Sequence, residues 1–300
     1  MTTDDAPDPL WEAPIVLAAT PIGNLGDTTD RLRRLLETAE IIACEDTRRT
    51  RHLLQALQIT ATGRLVSLHE HNEASRAAEL VQAAAAGTRV LVVSDAGMPA
   101  VSDPGYRLIS AAVSAGVGVT VAPGASAVTT ALALSGLPTD AFTFAGFFPR
   151  KAALRARLIE RLRGEEWTIV LFESPHRIAA TVAELAQQLG GRRQAAVARE
   201  LTKRYEEVLR GSLSELAEEL AGTAARGEYV LVLAGADAEP GHGEGPSVEE
   251  LAVQVVDRAE AGERLKAAAK AVGAAHGVSA SELFDAAVER RRARQSPPVD

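Results

Sequence analysis

Short apolar runs separated by amphipathic stretches dominate the first 236 residues. The runs at 15–19, 41–44, 64–68, 89–93 and 118–121 are too short for buried helices and rich in Val, Ile, Leu and Ala. Between them Leu and Ala recur at the three- and four-residue spacing of a helix face. Continuous short apolar runs predict strands buried on both faces, and their alternation with helices predicts a parallel sheet wound by crossover helices. Val121–Gly124 reads as a crossing point to a second layer. Beyond it, strands are expected at 141–145, 167–172, 195–198, 206–210 and 228–234, with hairpin-like pairing after Arg199. Residues 236–247 are rich in Gly, Pro and acids and read as a linker. Three helical patterns follow over 247–294, punctuated at Gly262 and at 277–279, where Ser279 is suited to cap the last. The final two, over 263–273 and 279–292, are spaced like a helix-turn-helix. The expected organisation is a flexible N-terminus over 1–13, α/β domains over 14–122 and 123–236, a linker over 237–247 and a small helical domain over 248–294.

Charge refines this picture. With 32 Lys and Arg against 40 Asp and Glu, the net charge is −8, which excludes a protein that coats nucleic acid through an overall basic domain. The positive residues are nevertheless clustered. Arg48, Arg49 and Arg51 sit beside His52; Arg150, Lys151, Arg155, Arg157, Arg161 and Arg163 are opposed only by Glu160; Arg290–Arg292 and Arg294 lie near the end. Such patches contact phosphates on an otherwise acidic protein, or are ordinary solvated helix faces. In 247–300 acids slightly outnumber Lys and Arg. That disfavours DNA reading by the helix-turn-helix-like pair and leaves docking, RNA clamping or simple packing. Cys44 is the single cysteine, so no internal disulfide is possible and a reducing compartment fits. It closes an apolar run, as buried filler does. The first fourteen residues lack a signal-peptide core, and no apolar run approaches the ~20 residues of a membrane span. A cytoplasmic protein without a membrane association is expected.

The chemistry concentrates in loops after strands. Ser94–Gly105 (SDAGMPAVSDPG) occupies twelve residues where a plain strand-to-helix connection needs only a few. Gly97 and Gly105 permit close approach of backbone to a ligand, Pro99 and Pro104 stiffen it, and Asp95 and Asp103 accept hydrogen bonds from hydroxyls or amines. Open α/β sheets hold ligands in loops so placed. Thr20–Asp27 (TPIGNLGD) lies where a dinucleotide fingerprint would begin, but Gly23 and Gly26 are three apart and G-x-G-x-x-G is absent, so a nicotinamide site is a poor reading. Thr28 or Thr29 is suited to cap the helix that follows. His69 and His71 share a face of an extended segment and, with Glu73, hint at a metal. No third histidine or cysteine is placed to complete a site, so no metal is expected; hydrogen bonds at a helix start, or contacts to an acceptor, remain. Phe142 and Phe144 alternate as a buried strand face. Phe147 and Phe148, just ahead of Arg150, either join the core or present a stacking surface to an unstacked base.

Thr20–Asp27, Glu45–Arg48 (EDTR), Ser94–Gly105, Pro123–Ala127 (PGASA) and Phe172–His176 (FESPH) occur in this order at family-like spacing. Together they resemble the bacterial small-subunit ribosomal RNA cytidine 2′-O-methyltransferases of the tetrapyrrole methylase superfamily, over roughly 15–236 plus a C-terminal appendage. The resemblance implies a two-domain α/β fold with the cofactor cleft between the domains and a small helical domain behind. It implies S-adenosyl-L-methionine as cofactor, the 2′-hydroxyl of a cytidine in 16S rRNA of the small ribosomal subunit as acceptor, and a homodimer. The cofactor residues it suggests are Pro21, Asp95, Ala96, Gly97, Val101, Asp103, Ser126, Ala127, Phe172 and Glu173. The adenine would meet second-domain backbone near Arg199, Glu200 and Tyr229–Val230. Arg48, Arg49, Arg150, Lys151 and Arg155 are the expected RNA contacts. A ribose hydroxyl is a weak nucleophile that needs help losing its proton. Glu45, Asp46, His69–His71 and Glu200 with Lys203 are candidates, although carboxylates beside arginines keep a low pKa, which suits positioning better than base catalysis. A tetrapyrrole methylase acting on corrinoid precursors, and a non-catalytic RNA-binding assembly factor, are the alternatives. The basic clusters, the appendage and the first loop, less glycine-rich than in tetrapyrrole enzymes, favour RNA.

Overall fold

The computed structural model describes residues 10–222, 226–236, 248–276 and 278–295. The chain divides into two compact units, Met1–Ala236 and Asp237–Asp300.

The first unit holds two five-stranded sheets. Strands β1 (Ile15–Ala18), β2 (Ile41–Cys44), β3 (Arg64–Ser67), β4 (Val90–Val93) and β5 (Val119–Ala122) form an all-parallel sheet in the order β3-β2-β4-β1-β5. Helices α1 (Asp30–Thr38), α2 (Thr47–Ala56), α3 (Glu73–Ala85) and α4 (Tyr106–Ser114) make the crossovers. The unbroken apolar character of β1, β2 and β4 follows from burial on both faces. Leu32, Leu35 and Leu36 of α1 cover one face, and Leu80, Val81 and Leu108 of α3 and α4 cover the other. Cys44 is fully buried within this core. Thr29 rather than Thr28 caps α1, its side chain accepting from the Leu32 amide at 3.1 Å.

Helix α5 (Ala127–Ser135) leads into β6 (Phe142–Phe147), α6 (Ala152–Arg163), β7 (Thr168–Glu173), α7 (Ile178–Leu189), β8 (Gln194–Arg199), β9 (Glu207–Ser212), α8 (Leu213–Leu220) and β10 (Tyr229–Leu233). This second sheet is mixed, ordered β6-β7-β10-β8-β9, with β6 and β7 parallel and the remaining pairs antiparallel. Helices α6, α7 and α8 bury one face around Phe148, Ile169, Leu171 and Leu231. The other face, with Val170, Ala196, Val230 and Val232, packs on Val128, Ala131 and Leu132 of α5 and on Ile22 from the loop after β1. β6 runs two residues beyond the apolar run that predicts it. Gly146 adopts φ +71° inside a bulge that lets the strand continue.

The second unit comprises three helices, α9 (Val248–Glu260), α10 (Leu265–His276) and α11 (Ala280–Gln295), around Leu251, Val255, Val256, Ala268, Val272 and Leu283. Gly273 admits the Val278 carbonyl to a spot that a Cβ would hold at 2.6 Å, which lets α10 turn closely into α11. The expected linker, residues 1–9 of the expected N-terminal segment, and the side chains of Arg292 and Arg294 lie outside the described residues; within 10–13, Leu10 and Ala13 are buried and Trp11 Nε1 donates to Thr38 Oγ1 at 3.0 Å.

Candidate active site

The ends of β2, β4, β7 and β10 and the start of α5 surround a cavity of about 800 Å³. The loop leaving β4 is its most constrained wall. Thr20 and Gly97 exchange backbone hydrogen bonds of 2.9 and 3.0 Å, and the Ser94 hydroxyl donates to the Gly97 carbonyl at 2.9 Å. Further along, Ala100 and Ser102 take φ +66° and +61°, left-handed conformations that side-chain-bearing residues adopt only under constraint. The constraint at the far end is Glu73. Its buried carboxylate accepts from the Gly105 and Arg107 amides, both at 2.8 Å. Gly105 has no side chain with which to cap α4, and Glu73 does so from α3.

The four acidic side chains that the loops after β2 and β4 bring to the cavity are in two different states. Asp46 accepts from the Arg48 amide at 2.8 Å and from its guanidinium at 2.7 and 3.1 Å, which holds its carboxyl well below the usual range. Asp95 accepts from the Asp46 amide at 3.1 Å and lies 3.5 Å from Arg49 Nε. Among the described residues, the carboxylates of Glu45 and Asp103 have neither a hydrogen bond nor an ion pair. Burial, then the charge of Asp95, pushes Glu45 up. Burial, then the charges of Glu45 and Asp95, pushes Asp103 up to about 7. His69 also lines the cavity. Its Nδ1 is buried without a hydrogen-bond partner among the described residues, and its ring meets His71 edge-on at 6.0 Å. The Glu73 carboxylate, sequence neighbour of these histidines, is turned away to the α4 amides.

The family model for Tetrapyrrole (Corrin/Porphyrin) Methylases matches residues 14–217. Ribosomal RNA small subunit methyltransferase I of Mycobacterium tuberculosis is 49% identical over 284 residues, covering 94% of this chain and 97% of that protein. The chain belongs to the tetrapyrrole methylases. Within them it sits with the ribosomal RNA small subunit methyltransferase I proteins, of which the Synechocystis member is 46% identical over 75% of this chain and 80% of its own length. Among solved structures, a uroporphyrin-III C-methyltransferase from Thermus thermophilus complexed with S-adenosyl homocysteine has a TM-score of 0.51 at 21% identity. It covers 74% of this chain and 97% of that one, a likeness of fold.

In this tetrapyrrole methylase the cavity gathers Glu45, Asp46, Arg48, Arg49, Asp95, Ala96, Gly97, Val101, Asp103, Ser126, Ala127, Phe172, Glu173 and Val230 from the sequence-derived set. The Glu173 side chain is 1% exposed. Its carboxylate accepts from Thr181 Oγ1 at 2.6 Å and the Ser174 amide at 2.7 Å, with Arg177 at 3.4 Å, and so shapes the turn after β7. Pro21, Arg199 and Glu200 do not line the cavity. Ile22 reaches it in place of Pro21, and Gly227–Val230 in place of Arg199 and Glu200. Glu200 stands one layer behind, held by Lys203 Nζ at 2.9 Å and the Glu228 amide at 3.1 Å. Its carboxylate fills the place where a Cβ on Gly227 would be, so the Gly227–Tyr229 backbone rests against it. Those hydrogen bonds hold Glu200 low.

Arg48 and Arg49 also line an adjoining groove of about 610 Å³ with Leu25, His52, Leu53 and Ala56, and the two spaces share Asp46 and Asp95. Arg150 and Lys151 are exposed and lie outside both, while Arg155 is tied to Glu184 at 3.1 Å and to the Arg150 carbonyl at 2.8 Å. Met98, Ser102, Gly227 and Glu228 are cavity residues that sequence reasoning passed over. A glycine followed by an acid just ahead of an apolar strand was the available signal for the last two. The aromatic pair resolves into two roles: Phe148 is 1% exposed in the core, and Phe147 is 60% exposed at the cavity.

Proposed function

We propose that this chain transfers a methyl group from S-adenosyl-L-methionine to the ribose 2′-hydroxyl of a cytidine in 16S rRNA. The observation that carries the reading is the match, at 49% identity over nearly the whole chain, to ribosomal RNA small subunit methyltransferase I. The residues around the cavity fit the cofactor. Asp95, Asp103 and Glu45 suit a sulfonium cation, an ammonium and ribose hydroxyls. Ser126 makes no side-chain cap to α5, so amides of the first turn at Ser126–Val128 are open to a carboxylate, and Ile22, Val128, Phe172 and Val230 supply an apolar wall for adenine. The volume lies within the ~300–1,000 Å³ of small-molecule sites. When bound, the cofactor supplies an electrophilic methyl on sulfur.

What the chain must add is a place for the departing hydroxyl proton. Asp46 is a poor acceptor because Arg48 holds it ionised and engaged. Asp103, poised near neutrality and without a partner among the described residues, is suited to take the proton, with Glu45 beside it to share the charge. Arg48 and Arg49, on the rim and in the adjoining groove, suit the phosphates flanking the target nucleotide. Arg150, Lys151 and Arg155 form a second basic strip. The reading places the enzyme in the cytoplasm as a homodimer; no helix among the described residues is long and apolar enough to cross a membrane. Tyr106, Val113 and Val121 offer exposed apolar surface to a second copy. Residues 14–122 and 123–236 serve as the two α/β domains, a division supported by the packing of α5 under the second sheet, and 248–294 as a helical clamp on the rRNA.

The test is transfer from radiolabelled S-adenosylmethionine to small ribosomal subunits from a strain lacking the modification, with a tetrapyrrole precursor offered in parallel. Label recovered as 2′-O-methylcytidine in 16S rRNA is the expected result. Label only in the tetrapyrrole would make this a small-molecule methylase, and absence of cofactor binding would leave a non-catalytic RNA partner.

A further inference from the structure

β6 is the edge strand of the second sheet, and its pairing with β7 slips. Phe142, Thr143 and Phe144 oppose Thr168, Ile169 and Val170, whereas Phe147 opposes Phe172. Three residues on β6 thus span two on β7, and the extra one is absorbed at Gly146 with φ +71°. Side chains alternate along a regular strand, so Phe148 would otherwise share the face of Phe144, and Phe147 would take the opposite face. The bulge exchanges them. Phe148 enters the core with Ile169 and Leu171, and Phe147 turns to the cavity face, its ring 5.4 Å from Phe172 and edge-on to it. Phe144 meets the same Phe172 ring at 5.0 Å. A large ring left 60% exposed gains little from burial, yet the strand carries a kink and a left-handed glycine that aim it there. Bulges beside ligand sites commonly re-aim a side chain in this way. The bulge faces the loop after β4, with Ser102 Oγ 3.7 Å from where a Cβ on Gly146 would stand. Three residues on, Arg150 and Lys151 are exposed and, among the described residues, unpaired with any carboxylate.

We propose that Phe147 is the stacking platform for the pyrimidine of the acceptor nucleotide, turned out of its helix, with Arg150 and Lys151 on the adjacent phosphate. This rests on the rRNA methylation reading above. Chemistry on a nucleotide requires access that a stacked duplex denies, and an aromatic face offsets the lost base stacking without reading sequence. A platform anchored edge-on against Phe172 presents a ring that is already oriented.

Wild type, Phe147→Ala and Phe147→Trp, each as full chain, are compared for methyl transfer to unmodified small subunits, for S-adenosylmethionine affinity by calorimetry and for oligomeric state. Phe147→Ala is expected to lose about 5- to 100-fold in kcat/KM for subunits, with cofactor affinity and assembly unchanged, and Phe147→Trp to keep activity within a few-fold of wild type. Full activity in Phe147→Ala, or equal loss in both variants, would overturn the proposal. Weakened cofactor binding would assign the ring to the cofactor adenine, and a changed oligomeric state would assign it to an interface between copies; each also overturns it. Failure of the wild type itself to label subunits would sink the function reading, an outcome separate from any difference among the Phe147 proteins.

Discussion

Replacing Asp103 by Asn removes a carboxyl whose ionisation the fold resists. Its titration is raised from 3.8 to about 7 by burial first, and then by Glu45 and Asp95. Arg49 is engaged with Asp95, Asp46 is engaged with Arg48, and His69 lies on the same wall. Well below pH 4, Asp103 is protonated in both the folded and the unfolded chain and costs nothing. As pH rises from about 4 to about 7, the unfolded chain gives up the proton and the folded chain keeps it, so stability falls; above about 7 the cost is complete. The whole shift is on the order of 4 kcal/mol at about 1.4 kcal/mol per pH unit. The carboxyl is only partly shielded from water, which brings the expected figure to about 2 kcal/mol. Asp103→Asn should therefore be more stable than wild type by about 2 kcal/mol at pH 8.5, with the gap closing toward pH 4.5. Urea unfolding at four or five pH values measures this directly. The midpoint belongs to Glu45, Asp95 and Asp103 as a set. A gap that does not vary with pH, or a variant less stable than wild type at pH 8.5, would refute the electrostatic account. Methyl transfer by the wild type should rise through pH ~7, and in Asp103→Asn it should be low and flat.

Other perturbations separate the parts of the site. Glu73→Ala leaves the Gly105 and Arg107 amides without their acceptor. It should cost about 2–4 kcal/mol in thermal or urea unfolding, and weaken S-adenosylmethionine binding because the loop after β4 loses its far anchor. Gly146→Ala meets no steric obstacle, its nearest neighbour being Ser102 Oγ at 3.7 Å. Its cost is the left-handed backbone alone, about 1–2 kcal/mol, and kcat/KM for subunits should fall more than cofactor affinity. Asp46→Asn should leave the pH midpoint of transfer in place, since Asp46 stays ionised across the neutral range, whereas Glu45→Gln should lower that midpoint by removing a charge that faces Asp103; stopped-time assays from pH 5.5 to 8.5 distinguish them.

The strands and the loops that line the cavity were legible because both signals are local. Ile41–Cys44 or Val90–Val93 can hardly be anything but buried strands, and a loop such as Ser94–Gly105 shows its Gly, Pro and Asp directly. The antiparallel insertion of β10 between β7 and β8 was not legible, since nothing near Tyr229–Leu233 names its neighbours. Glu73 stood beside His69 and His71 in sequence, where hydrogen bonds at a helix start were expected rather than a metal, yet its partners Gly105 and Arg107 lie more than thirty residues away and are met only through the α3–α4 packing. The same limit applies to Glu200, whose link to Lys203 follows from spacing but whose support of Gly227 does not. Phe147 and Phe148 could not be told apart, because which ring faces the core depends on one positive φ at Gly146.

Ile22 leaves the first sheet and α5 follows its last strand, yet both are buried against Val170, Val230 and Val232 of the second. Neither sheet can therefore melt alone without stripping apolar cover from the other, and calorimetry of the Met1–Ala236 unit should register a single cooperative transition. A fragment ending at Ala122 would carry the loops for half the cavity but lack α5, and its Ile22 would face water. Since Ile22, Val128 and Val230 are at once interior of this common core and wall of the cavity, a ligand seated there would raise that one transition as a whole.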